Sequence, residues 1–203
     1  AAQCQSLKHV VFLGTGAASY MNIAELKQLG IAVHIIKGYG DTAVAEHTIA
    51  LMFAASRDLA IMDREVRGGT WKPREGVQLL GKTLGIIGLG GIGSEVARIG
   101  SGIGMKVIAY NRSSKPGAGV PMADLDTVLS QSDVISINLT LLGADEVMLH
   151  EALDVFHAEP LKADHPLTRM DNVTLCAHAA FRTREASETL LRRAIDIVKR
   201  LAA

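Results

Sequence analysis

Short apolar runs alternate with amphipathic segments along most of this chain, and glycine-rich turns separate many of them. The predicted strands, which share the length and apolar character of buried strands, are 7–13, 31–36, 83–87, 105–110, 133–139, 152–156 and 172–176. The predicted helices, in which apolar residues recur with helical spacing, are 23–29, 92–99, 123–131 and 183–201. Because strands and helices alternate, we expect an α/β fold built around a parallel sheet.

One further segment, between Asp41 and Val66, contains neither glycine nor proline and is rich in alanine, leucine, isoleucine and methionine. It predicts a single long helix that begins near Asp41. Positions 43–55 are apolar nearly all round, which is typical of a helix buried between two domains or between two subunits. We therefore expect a homodimer.

The pattern that says most about function is an apolar run followed by several glycines and then directly by a predicted helix. Gly88, Gly90 and Gly93 have the spacing G-x-G-x-x-G, which suits a tight turn, close approach of the backbone to a pyrophosphate, and close packing of helix on strand. Together with Gly91 and Ile92 they predict a dinucleotide site at a helix N-terminus, in a Rossmann-type doubly wound parallel sheet. A plain connecting turn is the alternative, but the strand, turn and helix around the glycines favour the dinucleotide.

The end of the next strand bears on the identity of the cofactor. An NAD-specific site usually has Asp or Glu there to bond the ribose 2′-OH, whereas this chain has Asn111, Arg112 and Ser113, followed by Ser114 and Lys115. No carboxylate repels a 2′-phosphate, and the basic and hydroxyl groups suit one. The sequence favours NADP, with NAD as the alternative if these residues form only a polar surface turn.

Composition argues against several classes of function. Lys and Arg number 21, and so do Asp and Glu, so no net charge attracts nucleic acid or an anionic membrane. No apolar run approaches the ~18 residues that a membrane span needs. Cys4 and Cys176 are far apart and lack metal-ligand partners, which predicts reduced thiols, no metal site and a cytoplasmic location.

Together these segments resemble the D-isomer-specific 2-hydroxyacid dehydrogenase family over nearly the whole chain. The segments that carry the resemblance are AVAEH at 43–47, the glycine turn at 85–93, LDVFHAEP at 153–160, HPL at 165–167 and AHA at 177–179. The Asn-Arg-Ser-Ser turn is most similar to the glyoxylate and hydroxypyruvate reductase branch. The resemblance implies a partial flavodoxin-like substrate domain at 1–42, completed by the C-terminal helix at 182–203, and a Rossmann domain at 43–181.

The family resemblance also implies the chemistry: hydride transfer between a nicotinamide and C2 of a small 2-keto acid. His178 corresponds to the acid/base histidine and Glu159 to its partner, since a nearby carboxylate favours the imidazolium that protonates the carbonyl oxygen. Asp154 corresponds to the aspartate beside the nicotinamide. Thr15 and Gly16 correspond to the loop whose backbone N–H groups hold the substrate carboxylate.

Two features of the family are missing from the sequence. An arginine that grips the carboxylate, in an Asn-Thr-x-Arg-Gly segment, has no counterpart between Thr140 and Ala152. Thr140 itself, which follows a predicted strand, is assigned to the cofactor site. Residue 1 also corresponds to a point within the substrate domain, about two βα units or ~50 residues from its start. We expect the segment with the arginine and the start of the substrate domain to be present in the protein and absent only from this sequence. The alternative is a nicotinamide-binding sensor or corepressor-like protein without turnover.

Overall fold

The fold is known from a computed structural model, which describes residues 6–113, 119–139, 151–153, 156, 159–170 and 173–202. The helices are α1 (Ile23–Gln28), α2 (Asp41–Ser56), α3 (Leu59–Arg67), α4 (Gly91–Gly102), α5 (Leu125–Gln131) and α6 (Arg184–Ala202). The strands are β1 (His9–Phe12), β2 (Ala32–Ile35), β3 (Thr83–Ile87), β4 (Lys106–Tyr110), β5 (Val134–Ile137), β6 (Glu151–Leu153) and β7 (Val173–Leu175). The chain divides into two compact units, a first unit of 1–40 with 181–203 and a second unit of 41–180.

The first unit is built on a parallel pair of strands. β1 lies beside β2 with Val10 opposite Val33, and α1 connects them. α1 begins after Asn22, whose side-chain oxygen accepts a hydrogen bond from the backbone N–H of Glu25 at 3.1 Å, the usual way to satisfy a free donor at a helix start. It ends before Gly30, which has φ +73°, a left-handed conformation that glycine adopts at little cost. α6 packs against β1.

The second unit carries a three-stranded parallel sheet in the order β4-β3-β5, and β6 pairs with β7 in a further parallel ladder. α4 connects β3 to β4, and α2 packs along α4. The largest fully buried side chains lie on the central strand, on α4 and α5, and in the turn between β3 and α4: Leu84, Ile86, Leu89, Val96 and Val128. The predicted α/β fold with a doubly wound parallel sheet is therefore confirmed.

Asp133 fastens the start of the central strand. One carboxylate oxygen accepts a hydrogen bond from the backbone N–H of Thr83 at 2.8 Å, and the other accepts one from the ammonium of Lys82 at 3.1 Å. The Thr83 N–H, and after it Lys82, hold the pKa of the Asp133 carboxyl below its usual value. This contact links the start of β3 to the residue that precedes β5.

The prediction of one long helix between Asp41 and Val66 is wrong. α2 ends at Ser56, and α3 begins after Asp58, which has φ +52°. A left-handed residue breaks the ladder of helical hydrogen bonds, and aspartate enters that conformation more readily than most residues. Within its unit, α2 buries one stripe, Ala45, Ile49 and Met52, while 40% of Phe53 is exposed. The helix is therefore buried on one side only.

None of the helices in the described ranges combines the length and the apolar character that crossing a bilayer requires.

Candidate functional site

The glycine turn after β3 has the geometry that its spacing predicts. Gly88 has φ +98°, and a Cβ there would lie 2.6 Å from the backbone oxygen of Asn138, so only glycine fits. Its N–H donates to the carbonyl of Tyr110 at 2.9 Å, which ties the turn to the end of β4. Gly93 is buried, and a Cβ on it would lie 2.1 Å from the carbonyl oxygen of Gly88. The first turn of α4 therefore lies directly on the backbone of the turn.

Gly90 is the N-cap of α4. Among the residues that the structure describes, no side chain caps this helix end, and a Cβ added to Gly90 would meet nothing within 4 Å. Helix N-terminal N–H groups with open space beside them suit a phosphate, because the orphan donors and the helix dipole both favour an anion. Ile92, one residue into the helix, is half-buried against the core.

Asp41 contributes a contact at this turn that no short stretch of sequence predicts. Its carboxylate lies against Gly91, with Oδ2 only 1.9 Å from where a Cβ of that residue would be. Any side chain at position 91 would displace this carboxylate. The two residues are 50 positions apart in the sequence, and no local pattern relates them.

Asn111, which directly follows β4, links the glycine turn to the loop after β4. Its Oδ1 accepts a hydrogen bond from the backbone N–H of Leu89 at 3.1 Å, and its Nδ2 donates to the carbonyl of Ser113 at 2.7 Å. Asn111 thus shapes both loops at this edge of the sheet. Arg112 and Ser113 are exposed beside it, while Ser114 and Lys115 lie outside the described residues.

His178 and Glu159 form a hydrogen-bonded pair at 2.7 Å between Nδ1 and Oε2. The other oxygen of Glu159 accepts a hydrogen bond from the backbone N–H of Phe156 at 3.0 Å, so the carboxylate is held at both ends. His178 follows β7 and has φ +49°, a strained conformation for a residue with a side chain. The side chains remain 45% and 34% exposed, so a proton can reach the pair from solvent.

The predicted substrate loop lies in the first unit. Gly14 has φ +156° and its N–H bonds back to the carbonyl of Phe12 at 2.9 Å. Thr15 and Gly16, which follow, are both exposed. In the part of the chain that the structure describes, a Cβ on Gly16 would meet nothing within 4 Å.

Part of the predicted site lies outside the described residues. Thr140 and Asp154 belong to this part. The stretch 141–150, which lacks a counterpart of the family arginine, also lies outside the described residues. Within the described ranges, no group of three or more His, Cys, Asp or Glu side chains is arranged to hold a metal ion.

The sequence and the structure are both similar to those of one family of known proteins. Residues 49–152 match the model for the NAD binding domain of D-isomer specific 2-hydroxyacid dehydrogenases. A D-3-phosphoglycerate dehydrogenase of Archaeoglobus fulgidus is 34% identical over 90% of this chain, and a glyoxylate reductase of Aeropyrum pernix is 36% identical over 87%. The crystal structure of a glyoxylate reductase from Paecilomyes thermophila superposes with a TM-score of 0.82 at 26% identity, covering 96% of this chain and 72% of that one.

The two sequence relatives are longer than this chain. The aligned region spans 43% of the Archaeoglobus protein and 67% of the Aeropyrum protein.

Proposed function

This chain belongs to the D-isomer-specific 2-hydroxyacid dehydrogenase family, and from that premise we propose that it reduces a small 2-keto acid with a nicotinamide dinucleotide. The contact that carries the proposal is the 2.7 Å hydrogen bond between His178 and Glu159, because it is the pair that this reaction needs for proton transfer. Glyoxylate and hydroxypyruvate are the proposed substrates. The similarity to the Aeropyrum glyoxylate reductase supports the first, and the turn at Asn111, which resembles that of the glyoxylate and hydroxypyruvate reductase branch, supports both.

The open N-terminus of α4 supports cofactor binding in the second unit. Gly90 leaves room for a pyrophosphate, and Gly93 lets the helix start lie close to the turn. When bound there, the dinucleotide supplies the hydride. The role proposed for Gly88, Gly91 and Ile92 is to shape this cradle, and that for Asp154 and Thr140 is to hold the nicotinamide half of the cofactor.

His178 is the proposed acid/base. Its Nδ1 is engaged by Glu159, so Nε2 is the nitrogen that would give a proton to the ketone oxygen as the alcohol forms. Glu159 is itself fixed by the N–H of Phe156, and its bond to Nδ1 holds the imidazole in one orientation. Thr15 and Gly16 of the first unit would orient the substrate through their backbone N–H groups. The first unit is accordingly the proposed substrate domain.

NADP is the proposed preferred cofactor. Arg112 and Ser113 are exposed at the end of β4, and Asn111 stands where an NAD-specific site usually has a carboxylate. We expect NADPH to bind more tightly than NADH, and Arg112→Ala to remove the difference. Arg184→Ala, which changes an exposed arginine at the start of α6, is the matched control. Tighter binding of NADH, unchanged by Arg112→Ala, would rule out a 2′-phosphate site.

Consumption of NADPH with glyoxylate or hydroxypyruvate tests the reaction itself. Loss of a general acid typically costs about 100-fold or more in rate, so we expect at least that loss in His178→Ala and a smaller one in Glu159→Gln. His165→Ala, at an exposed histidine after Asp164, should retain activity. An active His178→Ala protein would refute the acid/base role, and NADPH binding without any turnover by the parent would refute the reductase.

A homodimer is also proposed. Phe53 on α2 and Leu59 on α3 are 40% and 50% exposed, and large exposed apolar groups of this kind are common at subunit interfaces. Light scattering on the purified protein decides between one copy and two. The cytoplasmic location expected from the cysteines stays a prediction.

A further inference from the structure

Two histidines on neighbouring strands of the first unit face each other. The register of β1 and β2 sets His9 opposite Ala32 and Val11 opposite His34. Since side chains two positions apart share a sheet face, His9 and His34 lie diagonally on the same face. Nδ1 of His9 is 3.2 Å from Nε2 of His34, and the ring centroids are 5.3 Å apart.

The separation of the two nitrogens matches that of two ligands on one metal ion. With Zn–N bonds of about 2.05 Å, two nitrogens of a tetrahedral site lie about 3.3 Å apart. Two cis nitrogens of a square-planar site at about 2.05 Å lie about 2.9 Å apart. The observed 3.2 Å falls between these values, so both nitrogens can reach a single ion with a small rotation of the rings.

The surroundings allow an ion to enter. His9 is exposed and His34 half-buried, and His34 lines a cavity of about 420 Å³ together with Ile35 and residues of α6. Water can therefore reach the side chain of His34 from this cavity. Arg200 lines the same cavity, and its positive charge lowers the affinity for a cation.

We propose that His9 and His34 form a binding site for a late first-row divalent metal ion such as Ni²⁺ or Zn²⁺. Neutral imidazole is a preferred ligand of these ions. In the metal-free pair one ring donates and the other accepts the shared proton. When the ion takes both facing nitrogens, the donor ring carries its proton on its other nitrogen. The site is independent of the proposed reductase activity.

Calorimetric titration of the purified chain with NiCl₂ tests the site. We expect one ion per chain with micromolar affinity, and a loss of about a hundredfold in either His9→Gln or His34→Gln, because each variant removes one arm of a chelate. His165→Gln, which alters an exposed histidine of the second unit, should bind as the parent does. His178→Gln disrupts the His178–Glu159 pair. Because the proposed metal site does not include that pair, this variant should also bind Ni²⁺ as the parent does.

A second measurement uses the parent protein, so its result does not depend on whether a variant folds. In imidazole ¹H–¹⁵N spectra of the parent, Zn²⁺ should shift the signals of His9 and His34 first. The proposal is overturned if the parent binds no Ni²⁺ in the micromolar range, if both single variants keep the parent affinity, or if His178→Gln alone abolishes binding.

Discussion

Replacing Gly93 with alanine tests whether the cofactor turn depends on direct backbone packing. A Cβ at this position lies 2.1 Å from the carbonyl oxygen of Gly88 and 3.3 Å from the side chain of Ile86. A carbon and a carbonyl oxygen in close contact are about 3.3 Å apart. Either the turn or the start of α4 therefore has to move by about 1 Å.

The size of the effect follows from this clash. Overpacking costs about 1–3 kcal/mol, and the upper end applies because backbone atoms rather than a flexible side chain must move. Alanine recovers about 1 kcal/mol through its helix propensity. We expect Gly93→Ala to lower the free energy of unfolding of the second unit by about 2 kcal/mol. Gly90→Ala is the control: its Cβ meets nothing within 4 Å and its φ is −85°, so we expect a cost under about 1 kcal/mol.

Hydrogen exchange of the amides of Leu84 to Ile87 measures the stability of the second unit without interference from the first. Cofactor affinity, followed by NADPH fluorescence, supplies the second readout. We expect Gly93→Ala to lose both protection and affinity, and Gly90→Ala to lose affinity while keeping protection, since its methyl group enters the open space proposed for the pyrophosphate. Equal protection in Gly93→Ala and the parent would refute the packing argument. Equal NADPH affinity in Gly90→Ala and the parent would refute the phosphate assignment.

Two further substitutions test other contacts of the second unit. Asp133 has a lowered pKa when folded, chiefly through the N–H of Thr83 and then through Lys82, so its stabilisation is present above the unfolded pKa and is lost as pH falls through the folded pKa. Asp133→Asn should therefore be less stable than the parent at neutral pH, and denaturant titrations should show the gap closing below about pH 4; a gap that persists in acid would contradict this. At Asp58, where φ is +52°, glycine should be more stable than valine by about 1–2 kcal/mol in urea unfolding, and equal stabilities would mean that the break between α2 and α3 is not maintained.

The alternation of strands and helices, and the glycine turn itself, could be predicted because both are local. A strand that turns at Gly88 into a helix containing Gly93 is specified within a dozen residues, and the structure has that element as predicted. The break after Ser56 was missed because Asp58 carries no breaker signal: aspartate tolerates the left-handed conformation but does not require it.

The sequence by itself determined the fold class and the residue types of the site, because hydrophobic periodicity and glycine spacing act over short stretches of chain. Only the tertiary structure decided which distant groups meet. His178 reaches Glu159 across 19 positions, Asn111 reaches the N–H of Leu89 across 22, and His9 reaches His34 across 25. Each of these contacts depends on the order and register of strands in a parallel sheet. That order is set by the packing of the whole core, which no short stretch of sequence specifies.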